Sequence, residues 1–357
     1  MNNFSFPIFK TKLAEGGRVF KLEDPAERQK YFQFKASREI TKIRGYLKKN
    51  TFVGFLLGKK NSGKGTYAKL FMEAIKSPNM AHISIGDIVR GVHRDLSDKK
   101  RKKELVEFLR RRYRGPITIE SALEIILGRD TKGLLPTEVI LALVEREIDK
   151  LAGKAVFIDG FPRDLDQISY SLYFRALMGY RDDPDFFVFI DVPESIIDER
   201  MKHRVVCPRC QTPRNSRVHA TKEVEYDAAG KKFYLLCDNS ACEKKRMTAK
   251  EGDELGIEAI RSRIEIDDKV MKTLLNFNGL DKIYLRNSVP VKMAKRYADD
   301  YEITPAYKYE FDKNTGKVRI LEEPWVVKDN AGEKCYSLLP PAVVVSLIKQ
   351  VAKELNL

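Results

Sequence analysis

Two groups of residues have the types and spacing to do chemistry. The first is GKKNSGKGT at 58–66, in which Gly58 and Gly63 close a loop and Lys64, Gly65 and Thr66 follow. This is the spacing G-x-x-x-x-G-K. Its glycines let backbone N–H groups curl around an oxyanion without Cβ clashes, and a helix behind the loop adds its N-terminal dipole. Lys64 supplies a point charge for β- and γ-phosphates. Thr66 lies one step beyond the usual metal-side hydroxyl. The plainer alternative is a glycine-rich turn that merely ends a strand. A strand-like run before the loop and a helical run after it favour a nucleoside triphosphate. The second group is CPRC (207–210) and CDNSAC (237–242), two cysteine pairs flanking a strand-like stretch. Two such pairs bring Cys207, Cys210, Cys237 and Cys242 to one tetrahedral zinc, with Zn–S near ~2.3 Å and no open position for catalysis. A redox pair or unpaired buried thiols are the alternatives. Cys335 reads as an ordinary residue.

These residues need a scaffold. The apolar runs FVGFLL (52–57), AHISI (81–85), AVFID (155–159), FFVFIDV (186–192) and DKIYL (281–285) alternate with helical patterns such as TEVILALVEREIDKLAG (137–153). That rhythm predicts an α/β fold, a parallel sheet flanked by crossover helices. Residues 204–258 break it, being polar, cysteine-bearing and rich in turn residues. YKYEFDKNTGKVRILEE (307–323) predicts a hairpin around Asn314-Thr315-Gly316, and Pro340-Pro341 a final helix. The chain has 357 residues and a net charge of +15, which favours anionic partners. No run approaches the roughly 18 apolar residues of a membrane span, and the start lacks the apolar core of a signal peptide. A cytoplasmic protein without membrane partners is the expectation.

The loop ending Gly-Lys-Gly-Thr resembles that of the nucleoside monophosphate kinases, the adenylate kinase family in particular. Four further stretches carry the resemblance in family order: HISIGDIVR (82–90), IDGFPRDLDQ (158–167), DVPESIIDERMKHR (191–204) and IRSRIE (260–265). It covers roughly residues 51–300. It implies a P-loop fold with a five-stranded parallel sheet, an acceptor-binding insert and a cysteine-bearing lid of the kind many bacterial members have. The organisation that follows is an N-terminal extension (1–50), a core (51–86, 134–203 and 259–300), an insert (87–133), a lid (204–258) and a C-terminal extension (301–357).

The resemblance implies Mg²⁺-dependent transfer from ATP to AMP, giving two ADP. Gly58, Asn61, Ser62, Gly63, Lys64, Gly65 and Thr66 would hold ATP phosphates, with Arg200 over the donor base. Arg204 and Arg263 would bind the phosphates in flight. Arg90 and Arg163 would clamp the AMP phosphate, which suits a bidentate guanidinium fork. Ser84, Ile85 and Gly160 would line the AMP site, and Gln167 would read the base. Asp159 and Asp87 would position magnesium through its waters. Such transfer is positioning plus charge stabilisation, so no general base is required. The alternatives are a kinase for another monophosphate, or a nucleic-acid-binding protein that kept the fold. A monomer is expected.

Two departures stand out. Ile85 replaces the family's threonine in ISTGD. The lid's R-x-D-D falls near TAKEGDEL (248–255), where no arginine occurs. Asp253 and Glu254 stand for the acidic pair, and Lys250 or Arg246 is the candidate to supply the missing charge. The basic run DKKRKKELVEFLRRRYRG (98–115) reads as a solvated helix face in a lengthened insert, with RNA as the alternative; Phe108 and Tyr113 are its only aromatic residues. GLLPTE (133–138) resembles a further family motif. His93, His203 and His219 have no catalytic spacing. Both extensions carry apolar residues, Phe4, Phe6, Phe9, Tyr31, Phe32 and Phe34 at one end and Trp325–Val327 and Val343–Val345 at the other. They are expected to pack on the core, away from the moving parts.

Overall fold

The computed structural model describes residues 5–14, 18–127, 137–151, 153–162, 165, 167–168, 184–210 and 212–357. Arg163, Phe4 and residues 133–136 of GLLPTE lie outside the described residues. Helix α1 (Pro25–Tyr46) starts at an Asp24 cap whose carboxylate accepts the N–H groups of Ala26 and Glu27. Strand β1 (Val53–Gly58) leads through the glycine loop to α2 (Lys64–Ile75), then β2 (Met80–Ser84), α3 (Ile85–Ser97), α4 (Lys99–Arg112), α5 (Ile119–Ile126) and α6 (Thr137–Asp149). Strands β3 (Ala155–Asp159) and β4 (Asp185–Asp191) and helix α7 (Glu194–Lys202) follow. The cysteine-bearing segment contributes short strands β5 (Arg204–Val206), β6 (Pro213–Asn215), β7 (Val224–Asp227), β8 (Lys232–Leu235) and β9 (Thr248–Ala249). Helix α8 (Arg261–Leu275) and strand β10 (Lys282–Arg286) return to the body.

The main sheet has the order β10-β4-β1-β3-β2, and all its pairs are parallel. Its strands are the five predicted runs, shifted by at most one residue at either end. The central strand β1 is buried at every position, which explains its unbroken apolar sequence. Gly54 lies at its centre because a Cβ there would come within 2.8 Å of the Phe157 ring and 2.9 Å of Phe186. The order reverses direction on either side of β1, and the carboxyl end of β1 opens into the crevice where such sheets bind ligands.

Beyond residue 286 come β11 (Ser288–Pro290), α9 (Val291–Tyr297), a hairpin of β12 (Pro305–Asp312) and β13 (Lys317–Pro324), then β14 (Val326–Lys328), β15 (Lys334–Ser337) and α10 (Pro340–Glu354). The hairpin turn falls where Asn314-Thr315-Gly316 predicted it. Helices α1 and α10 share one hydrophobic core with α2 and one face of the sheet, through Tyr31, Phe32, Ile40, Val344 and Leu347. Trp325 is buried and Val326 is exposed.

The extensions are not confined to places away from the cysteine-bearing segment. The β12–β13 hairpin lies against it. Tyr309 and Val318 pack on the cluster that contains Cys207, Cys237 and Cys242. The Tyr307 N–H donates to the Arg217 carbonyl at 2.7 Å, and the Tyr309 hydroxyl donates to the Ser216 carbonyl. Apolar side chains on both surfaces leave water at this contact, which is why the hairpin is held there.

The basic helix α4 buries Leu105 and Leu109 and leaves Lys99–Lys103, Arg110 and Arg111 exposed. Phe108 packs against, and Tyr113 lies within, the small core of α3–α6. Neither ring is displayed for stacking on a base.

Candidate active site

The glycine loop is built by a change of backbone hand. Gly63 caps α2 with φ 95°, in the left-handed region that glycine enters at no steric cost. Asn61 is left-handed too, at φ 66°, as short polar side chains permit. The Lys64 ammonium turns back over the loop, donating to the carbonyls of Gly58 at 2.8 Å and Lys59 at 3.0 Å. It lies 4.0 Å from Asp159 Oδ1 at the end of β3.

A cavity of about 240 Å³ opens at the carboxyl ends of β1 and β3. Gly58, Asn61, Lys64, Ser84, Arg90 and Asp159 border it, together with Gly160 and Arg263. Residues scattered across more than 200 positions thus converge on one space. Arg90, one turn into α3, is mostly exposed and pairs with Asp87 at 2.5 Å. Thr66 is exposed, Ser62 is buried, and Gln167 is buried. Ile85 is 1% exposed and belongs to the core between the sheet and α8. His82, on β2 beside the loop, is pushed below its usual pKa by burial, and the nearby Asp159 charge only partly offsets this.

Arg204 opens β5 and forms a bidentate pair with Asp253, at 2.5 and 2.6 Å. Of the two acidic residues anticipated in this stretch, Asp253 is the one that Arg204 meets. Arg246, one of the two candidates to supply the missing charge, is engaged elsewhere. Its guanidinium carbon lies 4.0 Å above the Tyr234 ring and its Nη1 lies 3.6 Å from Asp227, on the β7–β8 arm. Lys250 is exposed. Arg200 reaches Asn287 Oδ1 at 3.4 Å. Asn287 is fully buried, donates to the Tyr67 hydroxyl at 3.0 Å and to the Leu338 carbonyl at 3.1 Å, and accepts from the Ser337 hydroxyl at 2.9 Å. The C-terminal extension thus helps to hold the site's own framework.

Sequence reasoning missed a charged layer beneath the loop. The buried Lys59 ammonium lies 3.2 Å from Glu194 and 3.6 Å from Asp268, and Glu194 pairs with Arg261 at 2.7 Å. Burial pushes Glu194 upward, but Arg261 and Lys59 outweigh it and hold the carboxyl below its usual range. Burial keeps Asp268 above its usual range in spite of Lys59. Asp267 pairs with Arg263 at 2.7 Å and accepts the Lys60 N–H at 2.8 Å. The signal available in sequence was only the acidic pair Asp267-Asp268 after IRSRIE.

Cys207, Cys210, Cys237 and Cys242 come together with all four Sγ atoms within 4.8 Å of one another, and Cys210 and Cys237 at 3.6 Å. Four zinc–sulfur bonds of about 2.3 Å at tetrahedral angles set sulfurs roughly 3.8 Å apart, so the cluster fits such an ion. Three of the four are buried, as a structural metal centre requires.

Comparison with known proteins agrees with this geometry. A family model described as an AAA domain matches residues 57–206, which begin at the phosphate loop and end with strand β5. An adenylate kinase of Clostridium novyi is 31% identical over 232 residues, covering 64% of this chain and 88% of that protein. One from Clostridium botulinum is 30% identical over 63% of this chain and 87% of its own length. One from Thermotoga neapolitana is 28% identical, covering 64% and 86%. With its parallel sheet, phosphate loop and convergent arginines, this chain is a P-loop phosphotransferase that belongs to the adenylate kinase family.

Proposed function

We propose that the chain transfers the γ-phosphoryl group of ATP to AMP, giving two ADP. The observation that carries this reading is the single cavity on which Lys64, Arg90, Asp159 and Arg263 converge. Donor and acceptor phosphates placed there meet cations from three sides. Lys64 leaves the loop carbonyls to bind the donor β- and γ-phosphates. Arg90, with Arg163 outside the described residues, holds the acceptor phosphate. Arg204 and Arg263 stabilise the charge that spreads over the transferring oxygens, the main source of rate in such a site. Arg200 lies over the donor base, and Gln167 reads the acceptor base. Asp159 and Asp87 would hold a magnesium ion through its waters, and the ion would supply charge neutralisation at the donor phosphates. Residues 204–258 act as a lid over ATP and 87–133 as a flap over AMP, excluding water from the transfer. The four cysteines would hold a structural zinc in that lid.

Ile85 bears on which acceptor is used. Its side chain lies in the core, so no hydroxyl faces the acceptor base from this position, and Gln167 carries the choice of base. A coupled assay of ATP with AMP, GMP, CMP and UMP tests this directly. AMP is expected to give the highest kcat/KM. A higher value with another monophosphate overturns the assignment of AMP.

A further inference from the structure

Asp267 stands one helical turn after Arg263 on α8, facing the phosphate loop. It is only 9% exposed. Its two oxygens have different partners. Oδ1 lies 2.7 Å from Arg263 Nη2, and Oδ2 accepts the Lys60 backbone N–H at 2.8 Å. Its side chain also borders the cavity shared by Lys64, Arg90 and Arg263. A carboxylate in such a place is unfavourable twice over. Burial costs it hydration, and its charge repels the phosphates that the cavity is shaped to bind. An apolar residue would avoid both costs but would leave the Lys60 N–H without this acceptor and the guanidinium without this anchor.

We propose that Asp267 is a positioning residue that locks Arg263 to the phosphate loop. The inference rests on the reading of Arg263 as a phosphate ligand. Through Oδ2 it fixes the loop at Lys60, next to the left-handed Asn61. Through Oδ1 it holds the Arg263 fork at a set distance from that same loop. The donor loop and the arginine helix that leaves the lid therefore keep one geometry, whether the lid is open or closed. A guanidinium placed in advance does not have to be ordered during the transfer, which is where misplacement is costly. The neighbouring Lys59–Asp268 contact ties the same helix to the loop one residue earlier, which adds rigidity to the joint.

The test uses Asp267→Asn, Asp267→Ala, Arg263→Gln and the double variant Asp267→Asn/Arg263→Gln in the full chain. Activity is normalised to the folded fraction, and ATP affinity is measured by calorimetry. Asparagine still offers an oxygen to the Lys60 N–H but turns a donor toward Arg263. Its kcat should therefore fall about tenfold or more with ATP affinity within about twofold. In the Arg263→Gln background the same change should cost less than about twofold, because the two residues act as a unit. A kcat for Asp267→Asn within twofold of the unmodified chain overturns the proposal, as does an undiminished loss in the Arg263→Gln background. If the unmodified chain makes no ADP from ATP and AMP, the acceptor reading fails, and ATP affinity alone decides the role of Asp267. Asp267→Ala should then weaken ATP binding about fivefold where Asp267→Asn does not, and equal affinities overturn it.

Discussion

Tyr226 on β7 and Phe311 on β12 stack with ring centroids 4.6 Å apart and planes 23° from parallel. This contact joins the tip of the C-terminal hairpin to the arm of the lid, and Phe233–Tyr309, at 5.6 Å, extends it. The base of the hairpin is fixed to the body, where the Thr304 N–H donates to the Ser337 carbonyl at 2.8 Å. The cysteine-bearing segment therefore does not stand alone.

The first prediction follows from that bridge. Aromatic pairs of this kind contribute about 0.5–1.5 kcal/mol beyond the area they bury. Phe311→Ala should free the lid arm, and amide exchange across 224–235 should quicken by roughly threefold to tenfold while the main sheet is unaffected. Unchanged exchange in the lid arm would show that the hairpin does not restrain it.

The second prediction concerns how the extensions are joined. Lys35 on α1 and Glu302 lie 3.1 Å apart with both side chains fully buried. Glu302 also accepts from the hydroxyls of Tyr31 at 2.5 Å and Thr11 at 2.6 Å, while Lys35 reaches Asp299 at 2.7 Å. Removing Glu302 leaves the buried Lys35 with Asp299 alone and strips the buried Tyr31 hydroxyl of its acceptor. Glu302→Ala should therefore lower unfolding stability by about 3–5 kcal/mol in urea titration. A loss under about 1 kcal/mol would mean that this network does not hold the two extensions together.

The same network gives a pH dependence. Burial, then the adjacent Glu302 charge, raises the Tyr31 phenol well above its ordinary value of 10.0. The folded state thus keeps a proton that the unfolded chain releases. Stability is fully present below about pH 10 and falls as pH rises past it. Tyr31→Phe should flatten that alkaline decline in Tm. An alkaline slope identical in the variant would remove Tyr31 as its source.

The metal prediction is simple to check. Protein purified without chelator should hold one zinc per chain by elemental analysis, and Cys237→Ser should lose it. Stripping the metal should lower Tm and loosen residues 204–258, because the ligands and the local fold form together. Metal-free protein with an unchanged melting curve would contradict this reading of the cluster.

Much of this was legible in the sequence because the three inner strands of the sheet are buried on both faces and so appear as continuous apolar runs. The glycine loop was legible because its left-handed Gly63 and its lysine are adjacent in the chain. The place of Arg246 was not. Arg246 stacks on Tyr234, twelve residues away, and only the β7–β8 arm creates that contact. The hairpin-to-lid contact was hidden for the same reason, since Tyr226 and Phe311 are brought together by tertiary packing and share no local pattern. Asp267 resembled any acidic residue of an exposed helix until the loop backbone was seen to donate to it.

The most direct test follows ATP and AMP together by phosphorus NMR, with the unmodified chain and with Lys64→Met. Two ADP should form for each AMP consumed, without free phosphate, and the variant's rate should be at least ~10²-fold lower, the usual cost of removing one charge-stabilising donor. Unconsumed AMP, accumulation of free phosphate in place of ADP, or equal rates in the two proteins would contradict the proposed transfer.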